Sequence, residues 1–321
     1  MADVITSIAT AGGYQTTTVT AAYDLLFRKA LIAFPQMRQF VDVRPSQVTH
    51  SGSSVRLQLD QPFSEAAVTA AKTALNEEVD PDTVQMPATK FVDLTPIEQG
   101  FYTKRTRKLA NRTMVEIDPA IAWAVADNCV KVLDEIIQDR MIAGVATANT
   151  LFGAAGAAIN LQTNASTLTA LMVRKAVLKL RVAQSLPWDG QYYAAAVHPN
   201  VVYDLRSETG SGGWRVPNEY GAGQGNIWAG EIGEFEGVRF LENPRTRLAA
   251  DGAASAVVHR SFFLGREALA EITVVEPGLV IGPYTDAFER FRKVGWYGDI
   301  GWSVFRQESE VLAYTGSSAN A

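Results

Sequence analysis

A single cysteine, three histidines, no surplus of basic residues and no apolar run long enough to cross a bilayer set the first limits on this chain of 321 residues. Cys129 alone excludes an intramolecular disulfide framework and any cluster of thiolate ligands, and the chain suits a reducing compartment. His50, His198 and His259 fall in no metal-ligand spacing such as H-x-x-x-H, so no metal site is expected. Lys and Arg number 29 against 34 Asp and Glu, a net charge of −5, which argues against sequence-independent gripping of nucleic acid. Met1 to Thr20 has neither a basic n-region nor an apolar core, so no signal peptide is expected. The uncharged stretch from Met141 to Val173 is broken by Thr147, Asn149, Gly153 and Asn160 and reads as a helix end followed by a loop, not a membrane span. No internal repeat is detectable.

What is present suits an ordinary globular protein: 47% hydrophobic and 20% charged residues. Area scaling for this length gives roughly 13,000 Å² exposed when folded against roughly 50,000 Å² unfolded, enough for a large core and about two domains. The first 20 residues, rich in Thr, Ala and Gly, read as an arm. Leu26, Phe27, Ala30, Leu31 and Phe34 then share a helical face that Pro35 ends. From Ser46 to Arg112 the pattern alternates, with strands expected at Val55–Leu59 and Phe91–Ile97. Between them lies a polar segment holding Glu77, Glu78 and the Asp80-Pro81-Asp82 turn, so the region reads as a long two-stranded projection.

Asp118-Pro119 starts a helix that runs to Gly144, with an apolar stripe of Ile121, Val125, Cys129, Val132, Leu133, Ile136 and Met141. At 1.5 Å per residue it is about 39 Å long, a spine for the molecule. A Ser166 cap is expected to open a second domain, beginning with a helix through Leu168, Met172, Ala176 and Leu180. A buried strand at Gln191–Val197, a turn at His198-Pro199 and a short helix at Val201–Arg206 follow, which argues for a mixed sheet. Glu208 to Gly237 holds nine glycines and reads as a long loop. Strands are expected at Val238–Leu241, Ala256–His259, Ser261–Leu264 and Gly301–Tyr314. Phe288, Phe291, Trp296, Tyr297, Trp302 and Phe305 are expected to complete the core around the spine, making the first domain discontinuous.

Few residues carry chemistry. His198 at a strand end is the best candidate for a catalytic group, against the plainer reading of a turn residue satisfied by backbone. Gly221-Ala222-Gly223-Gln224-Gly225 resembles a phosphate loop but lacks the strand and the Lys or Ser/Thr such loops need. No G-x-S-x-G occurs, and Cys129 on the apolar stripe reads as a buried small hydrophobe. Pairs such as Glu77-Glu78 and Asp134-Glu135 read as exposed, without an apolar pocket to raise a pKa. Lys104, Arg105, Arg107, Lys108 and Arg112 form one basic cluster, whose readings are a solvated face, pairing with acidic groups of a neighbouring copy, or a nucleic-acid contact. Lys104, Arg105, Arg107, Lys108, Arg112, Glu77 and Glu78 are thus candidate contacts between subunits, and no catalytic, cofactor or metal residue is assigned.

The order of elements, together with Val197-His198-Pro199, Asp204-Leu205-Arg206, Gly230-Glu231-Ile232-Gly233, Gly237-Val238-Arg239-Phe240-Leu241-Glu242, Gly265-Arg266-Glu267-Ala268-Leu269 and the closing Gly295-Trp296-Tyr297 and Arg306-Gln307-Glu308, resembles the major capsid proteins of tailed bacteriophages. The resemblance implies an α+β, Hong Kong 97-like fold with an N-terminal arm at 1–45 and an extended β-hairpin loop at 46–112. It further implies a peripheral domain at 113–164 and 273–321 with a spine helix at 119–144, and an axial α/β domain at 165–272. It implies assembly through hexamers and pentamers into an icosahedral head enclosing double-stranded DNA in the virion, built in the bacterial host cytoplasm. Expected partners are other copies, scaffolding and portal proteins and in some systems decoration proteins, with no cofactor and no membrane. With so short an arm, a separate scaffolding protein or another control of assembly is expected, and no crosslinking Lys–Asn pair is assigned. An encapsulin-like compartment shell and a two-domain enzyme using the Gly-rich loop and His198 stand as alternatives.

Overall fold

The computed structural model describes residues 37–45, 54–60, 63–72, 85–112, 118–153, 158–188, 190–208 and 231–320. The arm up to residue 36, His50, Glu77, Glu78 and the glycine-rich stretch 209–230 lie outside the described residues. In chain order the strands are β1 Val41–Pro45, β2 Val55–Leu59, β3 Lys90–Leu94, β4 Ile97–Thr106, β5 Thr150–Phe152, β6 Tyr193–Val197, β7 Glu231–Phe235, β8 Val238–Glu242, β9 Leu248–Ala249, β10 Val258–Leu264, β11 Leu269–Thr285, β12 Phe291–Val304 and β13 Glu310–Thr315. The helices are α1 Glu65–Ala71, α2 Arg107–Arg112, α3 Asp118–Gly144, α4 Ala170–Val182 and α5 Pro199–Ser207.

One large sheet runs β5-β13-β10-β6-β8-β7, with β9 added against β10. Its central strands are buried on both faces, so their side chains alternate between two cores. Tyr193, Ala195 and Val197 join Phe240, Phe263, Val311 and the buried residues of α4 and α5 in one. Ala194, Ala196, Leu241, Phe262, Leu264 and Leu312 join the spine helix α3 in the other. This is why Gln191–Val197 reads as a continuous apolar run and not as alternation. The expected Ala256–His259 and Ser261–Leu264 strands are one strand, β10. The cap of α4 is Thr169, whose side chain accepts the Met172 N–H, and not Ser166. Ser166 instead takes the Gly316 N–H on its carbonyl.

The second large sheet runs β1-β11-β12-β4. The 17-residue β11 and 14-residue β12 form a long antiparallel hairpin that sequence patterning leaves unresolved. Pro277 and Pro283 fall within β11 at register shifts, and such interruptions erase the period-two signal. β4 pairs along β12 from Ile97 to Thr106 and so belongs to this sheet. Among the described residues the two-stranded projection is therefore β2 with β3, five pairs from Val55↔Leu94 to Leu59↔Lys90. Gly301–Tyr314 is likewise not one strand. The chain leaves β12 at Val304, makes a 3₁₀ turn at Gln307–Ser309 and enters the other sheet as β13. It bends because the Phe305 and Arg306 N–H groups both turn to the Ala268 carbonyl while Arg306 pairs with Glu267 at 3.0 Å. The outgoing crossing, Gly265–Ala268, lies beside it, and the Gly265 N–H donates to Ser309 O at 2.7 Å. Residues 310–315, expected with the spine-helix domain, are thus paired with the strands of the second domain.

Helix α3 spans 27 residues and buries Val125, Cys129, Leu133, Ile137 and Met141, a row spaced by four. They share a cluster with Met37, Phe40, Trp296, Ile300 and Trp302. A Cβ at Gly144 would run into Val304, so the helix ends where it meets β12. Asp134, expected to be exposed, is only 3% exposed. It accepts the Met37 N–H at 2.9 Å and the Gln138 amide at 2.8 Å, which fastens the segment before β1 to the spine, and burial pushes its pKa up. Glu271 at the start of β11 is fully buried and takes Arg38 Nη2 at 2.6 Å and Trp302 Nε1 at 2.9 Å.

Ile137→Ala should lower stability by about 2–5 kcal/mol, read from the denaturant midpoint, whereas Val130→Ala on the exposed side of α3 should change it by less than about 1 kcal/mol.

Candidate assembly surface

Helix α2 begins where the β4–β12 ladder stops, with the Arg107 N–H donating to Arg290 O at 2.7 Å. Just before that point Arg105 stands opposite Arg292 and Lys104 opposite Lys293. The far end of the sheet therefore gathers Lys104, Arg107, Lys108, Arg112, Arg290, Arg292 and Lys293. Aromatic faces separate these cations. Lys104 Nζ lies 4.1 Å from the Phe291 ring centre, Lys293 lies over Tyr102 and Arg292 over Tyr284. At the hairpin turn Arg290 pairs with Asp286 at 2.5 Å, and that bond holds the Asp286 carboxyl below its usual pKa.

Of the candidate cations, Lys104, Arg107, Lys108 and Arg112 are exposed. Arg105 is not a surface contact: it is 8% exposed and donates to the Tyr284 hydroxyl at 3.3 Å, because its position in β4 turns it to the covered face of the sheet. Sequence reading missed Arg290, Arg292 and Lys293, which lie some 185 residues from Lys104 in the chain. The local density of aromatics was the available signal, but it pointed to the core. Trp296 and Trp302 are buried there, whereas Phe288 is 76% exposed at the turn.

Of the residues considered for chemistry, His198 and Cys129 are described and both serve the fold, while Gly221–Gly225 lies outside the described residues. His198 caps α5, its Nδ1 accepting the Asn200 N–H at 3.2 Å. Its ring lies 4.6 Å from that of His259, whose Nε2 is 2.7 Å from Asn320 Nδ2. Asp204 takes the Ser318 N–H at 3.1 Å, so the group clasps residues 317–320 against α5. Cys129 lies in the spine cluster, and burial raises its pKa further. A cleft of about 280 Å³ beside Ser185 and Ser309 holds the Arg306–Glu267 ion pair on its wall. Among the described residues no group of three or more His, Cys, Asp or Glu side chains could hold a metal ion, and no helix is long and apolar enough to cross a membrane.

A family model described as phage capsid protein matches residues 28–278. No protein of curated function matches the chain by sequence. Among solved structures, the capsid of Ralstonia phage GP4 superposes with a TM-score of 0.70 at 13% identity, over 90% of this chain and 93% of the other. The Cyanophage Pam1 capsid asymmetric unit gives 0.65 at 15% identity, over 91% and 96%. A Mycobacterium phage Che8 structure gives 0.61 at 15%, over 90% and 94%. The mixed helix and sheet architecture is therefore the Hong Kong 97-like capsid fold that the sequence implied.

Two buried groups give opposite pH signatures. Burial, reinforced by the neighbouring His198, lowers the His259 pKa to about 4, and burial also lowers that of His198. Both rings are favoured neutral in the fold, so stability falls as pH drops from about 6.5 towards 4. Glu310 is buried without a partner and its pKa is pushed up to about 8, so its contribution is lost as pH rises from about 4.5 through 8. Glu310→Gln should flatten the alkaline side of a melting temperature against pH profile, and His259→Gln should flatten the acid side.

Proposed function

The chain belongs to the phage capsid protein family, and from that premise we propose that it builds a phage head by joining through hexamers and pentamers into a closed icosahedral shell around double-stranded DNA. The observation that carries the reading is the amount of apolar surface that one copy leaves uncovered. Phe101, Tyr102, Leu279, Val280, Ile281 and Phe288 along the hairpin sheet are all exposed, as are Phe91 of the projection and Leu171, Leu178 and Val182 of α4. Patches of this extent belong to proteins that meet partners.

In this reading residues 1–45 carry an arm that ends where β1 joins the hairpin sheet, and 46–112 carry an extended loop built on β2 and β3 that ends where β4 joins it, both reaching onto neighbours. Residues 113–164 and 273–321 form a peripheral domain and 165–272 an axial domain, with β13 lending its strand to the axial sheet. Arg107, Lys108 and Arg112 on α2 meet acidic groups of an adjacent copy, with Glu77 and Glu78 the natural complements. The net charge of −5 suits a wall that holds DNA without gripping it. Scaffolding and portal proteins, with decoration proteins in some systems, complete the partner set, and assembly takes place in the host cytoplasm. The protein acts by assembly and not by catalysis, in keeping with the capping role of His198.

Electron microscopy of the expressed protein, with and without a scaffolding protein, should give capsomers, sheets, tubes or shells, and a strictly monomeric species at high concentration would overturn the reading. Lys108→Glu combined with Arg112→Glu should cut the yield of particles at least several-fold while leaving the melting temperature of the subunit within a few degrees.

A further inference from the structure

The two flanks of the hairpin sheet are treated differently. Beyond Thr273, where β1 stops, the outer strand β11 carries Pro277, Pro283 and three register shifts. Prolines and bulges are devices that prevent an open edge from templating another strand. The opposite flank, β4, has none of them. Its ten residues keep unbroken register with β12 from Ile97 to Thr106, contain no proline, and have no strand on their other side among the described residues. Both faces are open at its centre, where Phe101 is 52% and Tyr102 62% exposed.

The charges along this edge are ordered. On the open face Lys104 lies opposite Lys293 at one end, and Glu98 lies opposite Asp299 at the other. Like charges directly opposed across a ladder are unfavourable, and here two such pairs of opposite sign sit about 20 Å apart on the same two strands. Glu98 and Asp299 crowd negative charge closely enough to help raise the pKa of Tyr297, after burial. Asp286, paired with Arg290, is the acidic group near Lys104, and among the described residues no further strand lies beyond β4 to bring the opposite charge to either end.

We propose that β4 pairs with β4 of a second copy of this chain, antiparallel and edge to edge, about a twofold axis at Phe101. That register sets Phe101 against Phe101, Gly100 against Tyr102, Gln99 against Thr103 and Ile97 against Arg105. Glu98 of each copy falls opposite Lys104 of the other, twice per contact. Directly opposed residues share a face, so the Glu98–Asp299 end of one copy meets the Lys104–Lys293 end of its mate on the open side. Moving the axis to Gly100 or Tyr102 separates Glu98 from Lys104, so the charges select the register. The contact is isologous, as a twofold requires. It joins two four-stranded sheets into one and closes the unguarded edge. One strand pair is a small interface, weak alone and effective by repetition in a shell; in that sense the inference rests on the capsid reading.

The test uses the full chain. Phe101→Cys under mild oxidation should give a disulfide-linked dimer on a non-reducing gel, with Leu279→Cys on the guarded edge as the control and Cys129 buried away from reaction. Glu98→Lys and Lys104→Glu should each weaken self-association about tenfold in sedimentation equilibrium, and the Glu98→Lys/Lys104→Glu double variant should restore it. The proposal is overturned if Phe101→Cys crosslinks no better than the control, or if the double variant associates no more tightly than the single ones. A loss confined to Lys104→Glu also overturns it, because an acidic segment such as Glu77–Glu78 would then be the occupant. Shells by microscopy without the crosslink remove this contact and leave the capsid reading standing, whereas a crosslinked dimer without shells does the reverse.

Discussion

Val125, Cys129, Leu133, Ile137 and Met141 on α3 share one buried cluster with strands of both large sheets, and the architecture depends on keeping that row dry. The mixed sheet is covered by α4 and α5 on its other face, so its middle strands have apolar side chains on both sides. The hairpin sheet has no second covering helix among the described residues. Trp296 and Trp302 close it against the spine, with the Trp296 indole donating to Asn128 Oδ1 at 3.0 Å, and the strands then run on past the end of that cover. A wholly enclosed element and a largely uncovered one are thus held by the same helix. The first behaves as the interior of a stable domain, and the second has surface that only another molecule can dry.

Much of this was legible in the sequence where one residue pattern dictates one local structure. The spine helix is a case in point, since its apolar row and terminal Gly144 sit within a single segment. The buried run at 193–197 and the Pro-led α5 are others. What escaped depends on partners distant in the chain. Asp134 lies on a helix among acidic neighbours and looks solvated until the Met37 N–H arrives from 97 residues away. β11 was hidden by its own prolines, which are tolerated because the register shifts there. The break between β12 and β13 has no glycine or proline to announce it, because it is made by the Ala268 carbonyl. The candidate assembly surface was half visible: Lys104 to Arg112 lie close together in the chain, but Arg292 and Lys293 join them only through strand pairing.

Charge is distributed to match this division. Buried Glu271 is paired with Arg38, and Arg260 with Asp251. Along the open sheet charges are sorted by sign into separate ends, an arrangement that favours contact with something outside the subunit over internal compensation. Glu310 is the exception, buried and unpartnered, and it makes the core more tolerant of mild acid than of alkali. The histidine pair sets the limit on the acid side.

Two of the three crossings between the sheets, Gly265–Ala268 and Phe305–Ser309, run side by side and are hydrogen-bonded to each other, while the third runs through α3. Side by side, they make one joint at the near end of the hairpin, and α3 ties the same two sheets together beside it. From that joint β12 extends 14 residues, about 45 Å, to the hairpin tip. This is a lever: a tilt of about 5° at the joint swings the basic end through about 4 Å, comparable to the spacing between neighbouring strands. A small angular difference at one place inside the subunit is thus magnified at the far end of the hairpin sheet.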